Sequence, residues 1–257
     1  MKMKVRKTAV AGQFYPAQPD QLRAMIRSFL EQVNVTGPTP KAIIAPHAGY
    51  RYSGPIAASA YARLQGTSFR RVLLLGPAHT VHLQGIAASS AEAFATPLGN
   101  VLVDTAAVQT SLRLPQVQMM DEAHHREHGL EVHLPFLQMV CRDFALVPLV
   151  VGAVETADLA RLLAALYTSE SLIVVSSDLS HYYDYETARQ LDAATSRAIE
   201  QGRPEAVEHA CGRVPIRGLL QFAQGYGWQA QTIDLRNSGD TAGSRDRVVG
   251  YGAYVFT

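Results

Sequence analysis

Cysteine is nearly missing from this chain: 257 residues hold only Cys141 and Cys211. That excludes a disulfide-stapled scaffold. An excess of charge of either sign is missing too, with 23 basic against 22 acidic residues and a formal net charge of +1. Such a balance leaves no electrostatic footprint for nucleic acid or an anionic membrane. No apolar run approaches the length of a membrane span. The N-terminus, Met1-Lys2-Met3-Lys4-Val5-Arg6-Lys7, lacks the apolar stretch of a signal peptide. A cytoplasmic protein without a nucleic-acid or membrane partner is expected. There are no repeats, low-complexity tracts or charge blocks, and no linker divides the chain, so residues 1–257 read as one domain.

What is present is a core. Apolar residues make up 47% of the chain and charged residues 18%, the balance of a globular protein. Helical spacing with Asp20 as a cap predicts a helix over 19–33. Further helices are expected near 55–64, 104–112, 129–140, 156–167, 185–201, 204–210 and 215–225. Strands are expected near 41–45, 71–75, 84–90, 144–151, 172–176, 229–235 and 248–256. This alternation predicts an α/β fold, with a largely parallel or mixed central sheet and helices on both faces.

Three of the apolar runs lead into a histidine. Lys41–Ala45 leads to Pro46-His47, Arg71–Gly76 to Pro77-Ala78-His79, and Ser171–Val175 to Ser176-Ser177-Asp178-Leu179-Ser180-His181. Runs bounded by Gly, Pro and Ser read as buried parallel strands, and ligands bind beyond the carboxyl ends of such strands. Histidines distant in sequence can therefore meet at one sheet edge. A single loop histidine is more often a locally hydrogen-bonded residue, and it is the recurrence that points to a site. Tyr50 and Tyr52 follow His47 and can orient a ligand. His82 reads as a surface or outer residue. Asp178 and His181 are three apart, so one helical turn would place the carboxylate beside the imidazole and raise its basicity. An N-cap role for Asp178 fits equally well.

Residues 121–133 carry four histidines and four carboxylates, but not in the zincin spacing. Glu127, His128 and Glu131 are assigned to the pocket rim, and His124 and His125 are left outside. Asn237-Ser238-Gly239-Asp240 puts a carboxylate at another strand exit. With His47 and His79 it would complete the two-histidine, one-carboxylate set of mononuclear iron sites, and the same set suits catalytic zinc. An Asx-type turn accounts for Asp240 as well. Both cysteines read as structural.

Six segments together resemble the Memo family, whose prokaryotic members are the AmmeMemoRadiSam system protein B group. They are Ala11–Pro16, Ala45–Tyr50, Gly76–His79, Glu127–Pro135, Ser176–Tyr182 and Cys211–Arg213. The resemblance implies a fold similar to class III extradiol (LigB-type) dioxygenases. It implies a divalent metal, iron first, with zinc or copper as alternatives. By position, His47 and His79 are its two histidine ligands, and His181 is the acid/base residue with Asp178 beside it. In animal relatives the third ligand is a cysteine; Asp240 is the candidate here. The family name also implies radical SAM and AMMECR-type partners.

Three functions follow as expectations. One is a metal-dependent redox enzyme, dioxygenase-like, acting on a small molecule. The second is a peptide- or partner-binding module that keeps the pocket without the chemistry. The third is metal-assisted hydrolysis.

Overall fold

In a computed structural model that describes residues 3–257, the apolar runs become the middle of a nine-stranded sheet. The first half of the chain forms β1 (Val5–Arg6), α1 (Pro19–Glu31), β2 (Ala42–Ala45), α2 (Tyr50–Tyr61), β3 (Arg71–Pro77), β4 (Ile86–Ala88), β5 (Ala93–Thr96), β6 (Gly99–Leu102), α3 (Thr105–Ser111) and β7 (Val117–Met119). The middle follows with α4 (Asp121–His125), α5 (His128–Glu131), α6 (His133–Val140), β8 (Ala145–Val151), α7 (Thr156–Leu166), β9 (Ser171–Ser176) and β10 (His181–Tyr183). The chain ends with α8 (Tyr185–Glu200), α9 (Arg213–Tyr226), β11 (Ala230–Asn237) and β12 (Val248–Phe256).

The strand order is β10-β12-β2-β9-β3-β8-β4-β7, and β11 pairs with the other edge of β12. The four central strands, β2, β9, β3 and β8, run parallel. β4 and β12 flank them antiparallel, so the sheet is mixed. β2 and β9 are buried at every position, which explains why their sequences do not alternate. Helices cover both faces. In the β11/β12 pair Asp234 lies opposite Ala253, and Asp234 accepts a hydrogen bond from Ser59 of α2. Tyr254, one residue on and therefore on the other face, reaches Ser196 of α8 at 2.7 Å.

Several local expectations give way to particular contacts. Asp20 does not cap α1. Pro19 takes the first helical position, which needs no N–H donor. α2 starts at Tyr50 instead of near 55, because Gly49 accepts from the N–H groups of Tyr52 and Ser53. The expected helix over 129–140 divides into α5 and α6. The region near 204–210 holds only a 3-10 turn, Pro204–Ala206. A second sheet, ordered β1-β5-β6, was not legible in so short a set of strands. Among the described residues no helix is long and apolar enough to cross a membrane.

Candidate metal centre

Strand adjacency assembles the site. β9 lies between β2 and β3, and Ala45 is level with Ser176. The chain leaves β2 and β3 toward the same edge, and the His47 and His79 rings meet with centroids 4.9 Å apart. His128, at the start of α5, stacks on His79 at 4.6 Å and meets His47 edge-on at 5.4 Å. Its own pKa is lowered by burial and by His79.

The hydrogen bonds fix which nitrogen of each imidazole is free. Ser176 donates its hydroxyl to the Gly129 carbonyl. It must then accept from His47 Nδ1, 2.6 Å away, and His47 is left with a lone pair on Nε2. Burial pushes the His47 imidazole well below its usual pKa, helped by His79 and His128, so it is neutral. His79 is fixed by Glu127, whose carboxylate accepts from His79 N–H at 2.8 Å, from its Nδ1 at 2.7 Å and from Gly129 N–H at 2.7 Å. Burial works to raise the Glu127 pKa, but the hydrogen bonds from His79 and Gly129 outweigh it and hold the group at about 2. An ionised carboxylate only accepts, so His79 Nδ1 carries the proton and Nε2 is free. A Cβ at residue 129 would sit 3.0 Å from Glu127 Oε1 and 3.4 Å from the His79 ring, which explains glycine there.

Cys211 is the third member of this group. Its sulfur lies 3.3 Å from His47 Nε2, and the ligand atoms of His47, His79 and Cys211 all fall within 4.8 Å of one another. The sulfur accepts from Asp178 N–H at 3.2 Å, and Cys211 N–H donates to the Asp178 carbonyl. Gly212 lets this turn press onto β9; a Cβ there would come within 2.6 Å of the Ser176 carbonyl. Burial, with the Asp178 charge, pushes the thiol up to about 12. The sequence reading set Cys211 aside as structural. Its signal was the small residue after it, in a segment already matched to the family.

Asp240 is not brought to the histidines. It closes a capping box, its Oδ2 accepting from Asn237 N–H at 2.9 Å, and its Oδ1 accepts from the Tyr185 hydroxyl at 2.6 Å. The turn explanation is the one realised, and both oxygens are taken.

The other expected residues separate by what they touch. Asp178 is buried, and its Oδ1 accepts from the His47 N–H at 2.8 Å. Burial raises its pKa, against the hydrogen bond from His47 and the nearby His181. It holds the His47 backbone and does not hydrogen-bond His181, because residues 177–180 do not form the helical turn that would bring the two together. His181 Nδ1 is instead 2.8 Å from the Leu179 carbonyl, so it donates there and Nε2 is free. Tyr50 is buried, with its hydroxyl donated to the Val132 carbonyl, so it does not line a pocket. Tyr52 is 37% exposed. Glu131 is fully buried and leaves the rim altogether. It pairs with Arg6 and accepts from Ala9 N–H, Val10 N–H and the Tyr15 hydroxyl. These bonds fix the N-terminal segment, which sets Phe14 against His128 at 4.9 Å. His82 and His125 are exposed, as expected.

Two histidines outside the site carry a pH prediction. Burial lowers His124 to about 4 and His133 to about 3. Their folded pKa values lie below the unfolded value near 6.5. The unfolded chain therefore takes up two protons that the native state refuses. The contribution of this pair is fully present above about pH 6.5 and falls by about 2.7 kcal/mol per pH unit between roughly pH 6 and 4, with the lowered His47 and His128 acting in the same direction. Urea unfolding across that range checks this; a flat profile contradicts it.

The comparisons agree with the segments that carried the resemblance. A family model described as Memo-like protein matches residues 6–255. A MEMO1 family protein of Aquifex aeolicus is 38% identical over 268 residues, spanning 99% of this chain and 100% of the relative. Counterparts from Aeropyrum pernix and Methanosarcina mazei are 38% and 33% identical, each spanning 98% of this chain and 99% of the relative. A crystal structure of the uncharacterized protein JW3007 from Escherichia coli K12 overlaps 83% of this chain and 98% of its own, with a TM-score of 0.49 and 14% identity. With the family model and the relatives both matched along nearly its whole length, this chain belongs to the Memo family.

Proposed function

We propose that this chain binds one divalent first-row metal ion through His47 Nε2, His79 Nε2 and Cys211 Sγ, and acts on a small ligand at the open side of that centre. One observation carries the reading: both imidazoles spend Nδ1 on protein acceptors, leaving Nε2 for a metal in the same space as a half-buried thiol. Outer carboxylate and hydroxyl partners of this kind orient metal-binding histidines and strengthen them as ligands.

The donor set fits zinc, copper or iron. Two imidazoles and a thiolate form a softer set than the expected one. Iron therefore draws its support from the family resemblance and not from a carboxylate. When bound, such an ion would polarise a coordinated oxygen or exchange an electron with it. The chain's own part is clearer. Glu127 and Ser176 hold the two ligands in one tautomer. Asp178 fixes the His47 backbone. His181 keeps Nδ1–H on a carbonyl and offers Nε2 as a proton acceptor to a ligand. A redox reaction of the LigB type fits these roles. The peptide-binding reading draws on Tyr52, Tyr182 and Tyr183, which are 37, 63 and 41% exposed, Tyr182 lying against the His181 ring.

The thiol supplies the test. His47 is already neutral, and the Cys211 proton must leave for the sulfur to bind a metal. Zinc titrated into the reduced, metal-free protein should bind one per chain and release about one proton. Its affinity should rise about tenfold per pH unit between pH 6.5 and 8.5. An affinity that does not change with pH contradicts the reading.

A further inference from the structure

Five tyrosines are buried: Tyr15, Tyr50, Tyr61, Tyr251 and Tyr254. A buried tyrosine hydroxyl normally finds a partner. Four of these do. Tyr15 donates to Glu131, Tyr50 to the Val132 carbonyl, Tyr61 pairs with His133, and Tyr254 pairs with Ser196. Tyr251 makes no such bond, although the residue is only 2% exposed. Nor is its oxygen sealed away. The enclosed side-chain atoms without a partner, among the described residues, are Arg63 Nε, His124 Nδ1, His133 Nε2, Ser180 Oγ and Thr232 Oγ1. The little surface Tyr251 keeps is therefore at its hydroxyl.

The place of that hydroxyl follows from register. β12 runs antiparallel to β2 with Tyr254 opposite Ile44, Val255 opposite Ile43 and Phe256 opposite Ala42. Tyr251 lies three residues before that pairing, toward the strand end from which the chain leaves β2 for His47. Two residues earlier on the same strand, Val249 pairs with His181. Tyr251 shares the face of Ala253, the face covered by α2, and Tyr52 lies in the first turn of α2. The groups that act on its hydroxyl are Asp178, Tyr52 and Tyr182, and burial together with these three keeps it protonated. A protonated phenol among such groups is a hydrogen-bond donor that, among the described residues, has nothing to donate to.

We propose that the Tyr251 hydroxyl is a ligand-binding donor of this site, placed to hold an anionic oxygen, carboxylate or phenolate, of the molecule that enters beside His47 and His181. The proposal deepens the metal-centre reading by giving its ligand a second anchor, one that does not require the ion. The basic group on this side is Arg247, which lies 5.3 Å from the centroid of the Tyr182 ring, one of the three groups that act on Tyr251. The ligand class is thus a small organic anion.

The test uses Tyr251→Phe with benzoate as the probe, in calorimetry on metal-free and zinc-loaded protein. Because the hydroxyl bonds to no protein group, the variant should melt no lower than wild type, whereas Tyr254→Phe should melt lower. Benzoate affinity should fall about tenfold in Tyr251→Phe in both metal states, the loss expected for a hydrogen bond to a charged group. Zinc affinity should be unchanged. Equal benzoate binding by variant and wild type overturns the proposal, and so does absence of benzoate binding to wild type or a lowered melting temperature in Tyr251→Phe. If wild type binds no zinc, the metal-centre reading fails, while the metal-free arm still decides the role of Tyr251.

Discussion

Cys211→Ala should weaken zinc binding by at least about 100-fold, beyond the loss typical of an outer partner alone, and Asp240→Ala should leave it nearly unchanged. The contrast follows from what each side chain touches. The Cys211 sulfur lies 3.3 Å from His47 Nε2, in one cluster with His79. The Asp240 oxygens are committed to Asn237 and Tyr185. Removing the thiol deletes a ligand atom and leaves two imidazoles. Removing the carboxylate deletes a turn cap, a cost of about 1 kcal/mol in stability. Calorimetric zinc titration of both variants separates the effects. The reverse order of affinities would return the third position to Asp240.

The second large effect is on stability. Glu131→Ala should destabilise the fold by about 4 kcal/mol, the scale of breaking a buried ion pair. Glu131 is fully buried, and its two oxygens serve Arg6, two backbone N–H groups and the Tyr15 hydroxyl. Its loss leaves a buried guanidinium unpaired and three donors unmet. In a chain of this size the melting temperature should drop by about 10 °C. Tyr15→Phe, which removes one hydrogen bond, should cost about 1 kcal/mol. A Glu131→Ala change below about 1 kcal/mol would show that the N-terminal segment is held by other means. The same variant should also weaken metal binding at a distance, because Glu131 closes the short helix that begins with His128 and because the segment it anchors sets Phe14 on that ring.

The central strands were legible because burial on both faces leaves a continuous apolar run in the sequence. The helices with an apolar stripe, such as Leu22, Ile26 and Leu30 of α1, were legible for the parallel reason. The pairing of His47 with His79 could be read from their strand exits, although only the strand order shows that β9 separates them. The third member could not be read in that way. Cys211 comes from a turn after α8, brought in by hydrogen bonds to residues 177 and 178 that no local pattern announces. Asp240 had the right residue type at a strand exit, but β11 lies beyond β12, outside the parallel centre. Within residues 121–133, Glu127, His128 and Glu131 read as one rim, with His124 and His125 outside it. The structure divides them into Glu127 and His128 at the site, Glu131 at the N-terminal anchor, and His124 and His133 in the core. Spacing alone could not separate these because the segment breaks into three short helices that turn its side chains in different directions.

X-ray absorption at the zinc edge of the loaded wild-type protein tests the centre most directly. The account predicts one sulfur at about 2.3 Å and two imidazole nitrogens at about 2.0–2.1 Å, with the sulfur lost in Cys211→Ala. A first shell of oxygen and nitrogen alone in the wild-type protein would contradict it.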